Sequence, residues 1–143
     1  MDTRRKNCEQ GIKESELDSI MNSWHVAAST ANEKVFFGRM KPDGVYIGTD
    51  PSELWTAKEM ESWAKQYFQR DTASHFTPID RNWYFSADGS IAWFDELLDT
   101  WMGICRSSGV LENDAGDWKL RHYHLSVTIL NEKMEDFLKI DQE

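Results

Sequence analysis

The sequence predicts an α+β domain in which helices come first and an antiparallel sheet follows. Apolar residues recur at helical spacing through the first half, and from about Phe76 the period changes to alternation. Hairpin signals at Asp88-Gly89 and Asp114-Ala115-Gly116 punctuate that second half. With 143 residues, of which 40% are hydrophobic and 13% aromatic, the chain has material for one core and is not wholly disordered.

Residues 1–14 read as a loose, charged leader, and one domain is expected over 15–140. Ser15-Glu16-Leu17-Asp18 resembles a capping box, behind which Leu17, Ile20, Met21, Trp24, Ala28 and Ala31 share a helical face. A second helix starts at Asn32, carries Val35, Phe36 and Phe37, and ends before a turn at Pro42-Asp43-Gly44. Val45-Tyr46-Ile47 then reads as a short strand. Thr56-Ala57-Lys58-Glu59 caps a third helix with Met60, Trp63, Ala64, Tyr67 and Phe68 on one side. Four strands are expected over 76–86, 91–98, 104–112 and 118–130. Asn131 caps a closing helix bearing Met134, Phe137 and Leu138, and the polar Asp141-Gln142-Glu143 end frays.

Lys and Arg total 16 against 25 Asp and Glu, a net charge of −9. That is the wrong sign for holding phosphate backbones, so neither nucleic acid nor an anionic membrane is an expected partner. No apolar run approaches the ~20 residues of a membrane helix. Arg4, Arg5 and Lys6 are followed by Cys8-Glu9-Gln10-Gly11 instead of the apolar stretch of a signal peptide, so the expected location is cytoplasmic. The two cysteines, Cys8 and Cys105, have no zinc-site or disulfide-framework spacing, and no metal or cofactor is expected.

Loop lengths set the strand registers. A two-residue loop at Asp88-Gly89 places Arg81 opposite Glu96, Trp83 opposite Phe94 and Ile79 opposite Leu98. A five-residue loop from Asp99 to Gly103 places Glu96 beside Arg106, and a three-residue loop at 114–116 places Ser108 opposite His122 and Arg106 opposite His124. One face then gathers Arg81, Glu96, Arg106, Ser108, His122 and His124 among apolar residues such as Phe94, Ile104, Val110, Trp118 and Leu120, with Ser126 beyond them. It is expected to meet the helices. The opposite face carries Tyr84, Trp93, Asp95, Leu97, Cys105, Leu111, Tyr123, Leu125 and Val127, too apolar to be left to water, so a homodimer is expected there. A slip of one residue would exchange Glu96 for Asp95, and both remain candidates.

Helices before a bent sheet, together with Ala92-Trp93-Phe94-Asp95-Glu96-Leu97-Leu98-Asp99, Cys105-Arg106-Ser107-Ser108-Gly109-Val110-Leu111 and Gly116 to Ser126, resemble the SnoaL-like branch of the nuclear transport factor 2-like superfamily. The resemblance covers about 15–138. It implies a cone-shaped, cystatin-like fold with a strongly curved mixed or antiparallel sheet, and a pocket used by cyclases, isomerases and dehydratases but also by kinase association domains. The superfamily's Trp-x-x-x-His-x-His-x-Ser run maps onto Trp118, His122, His124 and Ser126, and Arg106 matches the basic position one strand earlier.

Three functions fit these residues. In an isomerase, cyclase or dehydratase, Glu96 or Asp95 abstracts a proton and His122 or His124 returns it, without metal or cofactor. Trp24, Phe36, Trp55, Trp63 and Trp83 would wall off water from a small hydrophobic or amphiphilic ligand. In a binding module, Arg81, Arg106 and a protonatable His hold a ligand carboxylate in a mostly apolar cavity, with Ser108 among the lining residues. In a dimerisation domain, the polar cluster is a compensated buried network.

Overall fold

The computed structural model describes residues 8–68 and 75–141. The expected leader therefore falls outside them over 1–7, as do Gln142 and Glu143 of the expected frayed tail. Helix α1, Cys8–Ser29, begins seven residues before the Ser15 capping box, so the helix takes in the rest of the leader. Leu17, Met21 and Trp24 are buried along its inner side. Ala31 turns the chain with a φ of 57°, and Asn32 caps α2, Glu33–Gly38, by accepting the Val35 amide at 3.2 Å. Phe36 and Phe37 bury the short helix.

Strand β1, Met40–Ile47, runs straight through Pro42-Asp43-Gly44, where a turn is predicted. The turn residues instead form an irregularity in the pairing of β1 with β6, Asp117–Val127, between the partners Met40↔Leu120 and Val45↔His122. Gly44 is required there, because a Cβ would sit 2.9 Å from the carbonyl oxygens of both Leu120 and Lys41. Strand β2, Leu54–Thr56, is too short to announce itself and pairs antiparallel with β1. Thr56 and Glu59 close the predicted capping box. The predicted third helix is two: α3, Ala57–Ser62, breaks at Trp63, and α4, Ala64–Phe68, resumes.

The remaining strands are β3, Phe76–Phe85, β4, Ile91–Thr100, and β5, Gly103–Asp114. The six-stranded order is β2-β1-β6-β5-β4-β3, mixed because β1 lies parallel to β6. Asn131–Lys133 forms a 3₁₀ turn into α5, Met134–Asp141; the side chain of Asn131 is not the cap. The fold class is the expected one, helices packed on the hollow side of a curved, unclosed sheet.

Register decides which side chains reach that hollow. Between β3 and β4 it is as predicted, with Arg81↔Glu96, Trp83↔Phe94 and Phe85↔Ala92. A bulge at Ile79 then lets Pro78 take the place opposite Leu98, and Ile79 is exposed. Between β4 and β5 the five-residue loop is corrected to a two-residue turn, Trp101-Met102, with Thr100 opposite Gly103. Thr100 closes it early: its hydroxyl accepts the Met102 amide at 3.0 Å and donates to the Gly103 carbonyl at 2.9 Å. The one-residue difference turns β5 over, so Cys105, Ser107, Gly109 and Leu111 face the helices and Ile104, Arg106, Ser108 and Val110 face outward.

The last hairpin turns through Ala115-Gly116, both at positive φ (52° and 90°), and pairs Asp114 with Asp117. Trp118 and Leu120 face inward as predicted. A bulge at Arg121 then reverses the parity, turning Tyr123 and Leu125 inward and His122, His124 and Ser126 outward. Arg121 is held aside at that bulge by Glu112, 2.7 Å away, and Asp43, 2.8 Å away. Cys105, Leu111, Tyr123 and Leu125, expected on the outer face, are therefore core residues.

Gly109 gives the floor of the cone its shape. A Cβ there would lie 2.7 Å from the buried Phe94 ring and 2.9 Å from the His122 carbonyl oxygen. Gly109→Ala is expected to lose about 1–3 kcal/mol through overpacking, read as a lower urea midpoint at unchanged slope. An unaltered midpoint would mean that Phe94 moves aside freely.

Candidate functional site

On the hollow side, Arg81, Glu96, Ser107 and Leu125 line up across β3, β4, β5 and β6. Helix α1 crosses above this row and lowers His25 and Asp18 onto it, seven residues apart and hence on the same helical side. Glu96 is 1% exposed and its carboxylate is saturated. Oε1 accepts Arg81 Nε at 3.1 Å and Nη2 at 2.8 Å; Oε2 accepts Ser107 Oγ at 2.9 Å and meets His25 Nε2 at 3.1 Å. Arg81 spends its remaining reach on Asp18 Oδ1, 3.1 Å away, which also accepts the Trp83 indole N–H at 2.7 Å. Among the described residues no buried side-chain nitrogen or oxygen lacks a hydrogen-bond partner.

Burial pushes the Glu96 carboxyl up, but the hydrogen bond and charge of His25 and the Arg81 guanidinium together outweigh it and hold the group below its ordinary value. An ionised carboxylate can only accept, so it assigns the proton of the shared hydrogen bond to His25 Nε2. The imidazole sits among rings: Trp24 at 5.5 Å, Phe76 at 6.0 Å and Tyr123 at 6.2 Å between centroids.

Of the predicted site residues, Glu96 and Arg81 come together as expected. Trp83 lies beside them, against Phe94 at 5.1 Å. Trp24 and Phe36 stack in the core at 4.4 Å. Trp55 and Trp63 form a half-buried edge-on pair at 4.7 Å, and Trp63 also lines a recess of about 870 Å³ between α2 and the α3–α4 break. Arg106, Ser108, His122 and His124 are not in this cluster; the β5 register and the Arg121 bulge put them on the outer face. Asp95 is on that face too, bound by Asn82 at 3.0 Å and Tyr84 at 2.9 Å.

His25, Ser107 and Asp18 are the members that sequence reasoning missed. Position alone reads His25 as solvent-facing, because it follows the inward Trp24 on α1. Its spacing from Asp18 and Met21, at i+7 and i+4, was the available signal. Ser107 was hidden by the β5 register.

A SnoaL-like domain family model matches residues 17–130. No match is found among the curated proteins. Solved structures similar to the chain include an NTF2-like protein of unknown function from Pseudomonas putida KT2440, with a TM-score of 0.70 and 14% identity over 86% of this chain and 92% of that one. A candidate scytalone dehydratase from Novosphingobium aromaticivorans gives 0.71 and 8% identity, over 82% of this chain and 85% of that one. The association domain of C. elegans CaMKII gives 0.68 and 14%, over 85% of this chain and all (100%) of that one. At these identities the structural likenesses establish a fold shared with NTF2-like proteins, and the family model establishes the lineage: the chain belongs to the SnoaL-like domain family.

Proposed function

We propose that this is a small-molecule acid–base protein of the dehydratase or isomerase kind, in which His25 moves the proton and Glu96 holds its ring. The observation that carries the reading is the 3.1 Å contact between His25 Nε2 and a buried, ionised Glu96. A carboxylate already receiving Arg81 and Ser107, and held below its ordinary pKa, is a poor base but a good orienter: it fixes the tautomer and stabilises the imidazolium formed when Nδ1 takes a proton. The surrounding rings of Trp24, Phe76 and Tyr123 suit a neutral cyclic carbonyl compound. A ligand carboxylate is disfavoured, because Arg81 is occupied by Glu96 and Asp18 and Arg106 lies on the other face. This chemistry needs no cofactor.

The test is a panel of cyclic β-hydroxyketones and β,γ-unsaturated ketones in D₂O, followed by NMR for water loss or deuterium uptake. Wild type should turn over at least one compound, and His25→Gln should slow it ~10²–10⁴-fold, the range for losing a general acid–base group. Turnover undiminished in His25→Gln would sink the assignment, as would a panel that neither reacts nor raises the melting temperature.

We further infer that a second copy of the chain covers the outer sheet face. Tyr84 and Trp93 stack there at 6.0 Å while 41% and 42% exposed, with Ile91 and Ile104 also open to solvent. No described helix is long and apolar enough to cross a membrane. The buried free thiol of Cys105 fits a reducing compartment such as the cytoplasm.

A further inference from the structure

We propose that the apolar groove between α5 and the β4–β5 turn binds the single alkyl chain of a zwitterionic amphiphile, with its head group at Lys133 and Asp136. The groove lies apart from the His25 cluster, and the inference goes beyond the acid–base reading of that cluster. It measures about 610 Å³ and is walled by Met102 and Ile104 of the turn, Ile129 and Leu130 of the connection after β6, and Phe137 and Ile140 of α5. That size and that mostly apolar lining are those of a small-molecule pocket. α5 does not fill it: every residue from 131 to 140 is exposed, Phe137 by 40% and Ile140 by 69%. A helix of eight residues needs packing to persist, and a bound alkyl chain would supply it.

The lining selects the ligand's chemistry from body to head. Thr128 carries the one hydroxyl among the lining side chains, and it already donates to the Ile104 carbonyl at 2.6 Å. A polar ligand body would meet no side chain free to replace its water, so the body must be apolar. Met102 adds a flexible thioether that adapts to an alkyl chain. Charge enters the lining at Lys133 and Asp136, of opposite sign and three residues apart, hence neighbours on one side of the helix. Neither makes an ion pair among the described residues. A fatty acid would suit Lys133 but set its carboxylate against Asp136, and an alkylammonium would do the reverse. A head carrying both charges, such as phosphocholine, meets both. Glu135, Asp136 and Asp141 on α5, in a chain of net charge −9, turn the helix away from an anionic bilayer, so the occupant is a free single molecule.

Titration with decyl- and dodecylphosphocholine below their micelle concentrations, followed by ¹H–¹⁵N NMR, tests this. Amide shifts should concentrate at Met102, Ile104, Phe137 and Ile140, and the dodecyl chain should bind about 15-fold tighter than the decyl, the worth of two buried methylenes. Dodecanoate and dodecyltrimethylammonium should each bind about 5-fold more weakly than dodecylphosphocholine, the scale of one exposed ion pair. Lys133→Gln should bring dodecyltrimethylammonium level with dodecylphosphocholine, and Asp136→Asn should do so for dodecanoate. Phe137→Asp should abolish binding of all three probes. Ile104→Gln, on the opposite wall and outside α5, should weaken it about 10-fold even if the first variant unwinds the helix. Both side chains are exposed, so the sheet's circular dichroism should stay as in wild type. Shifts scattered over the surface, or centred on Trp24 and Tyr123, overturn the proposal, as do equal affinities for the three head groups. Binding to phosphatidylcholine vesicles without binding of the monomeric probes makes the occupant a membrane surface and overturns it too. So does a dimer, seen by sedimentation, that Phe137→Asp dissociates while the probes leave the groove residues unshifted, because a second copy is then the occupant.

Discussion

Glu96→Gln is expected to destabilise the fold by about 3–5 kcal/mol, because it breaks a buried ion pair from one side only. Arg81 would keep its charge at 6% side-chain exposure with only the half-exposed Asp18 opposite. The amide also brings a donor to a place where Arg81, Ser107 and His25 all donate, so at least one hydrogen bond becomes a donor–donor clash. Thermal melting at pH 7 should fall by roughly 10–15 °C for a chain of this size. The effect carries a pH signature. Glu96 titrates lower in the folded than in the unfolded chain, so its contribution is complete above the ordinary carboxylate range and drains away as pH falls through the depressed folded value. The gap between wild type and variant should therefore be widest near neutrality and narrow on acidification below about pH 4. A gap that stays constant down to pH 3 would mean that Glu96 is not held as a carboxylate.

That ion pair was legible before any coordinates, and the reason is local. Asp88-Gly89 permits one tight hairpin, and Ser86 and Ser90 bind the Asp88 carboxylate at 2.8 Å each to close it, so the β3–β4 register could be counted outward from the turn. The β4–β5 connection offered no such residue pair. Its length is set by a threonine hydroxyl making two hydrogen bonds at once, which composition does not announce. On β6 the alternation itself holds the clue: buried positions fall at 118 and 120, then at 123 and 125, and the skipped step is the Arg121 bulge. Strict alternation carried through it places both histidines on the hollow side of the sheet, where His25 of α1 is buried instead. The fold survived these slips because helix-then-sheet order depends on periodicity, whereas a site depends on parity.

Trp24→Ala should be the most damaging change in the aromatic core, costing about 3–5 kcal/mol. The indole, 2% exposed, stacks on Phe36 at 4.4 Å and 16° and meets the edge of Tyr123 at 4.6 Å. It ties α1 to α2 and to β6 in one contact. Its N–H also donates to the Phe36 carbonyl at 3.0 Å, near the end of α2, where the last turn has no backbone partner to offer. Trp24→Phe separates the two contributions, keeping most of the ring burial while orphaning that carbonyl, for an expected loss of about 1–2 kcal/mol. Urea unfolding should thus rank wild type above Trp24→Phe and both well above Trp24→Ala. If the phenylalanine variant is as unstable as the alanine one, the hydrogen bond to α2 and not the stack is what holds the helices together; if it matches wild type, the bond contributes nothing. The consequence reaches the site, because the residue after Trp24 is His25, and the Trp24 stack fixes the turn of α1 from which the imidazole reaches Glu96.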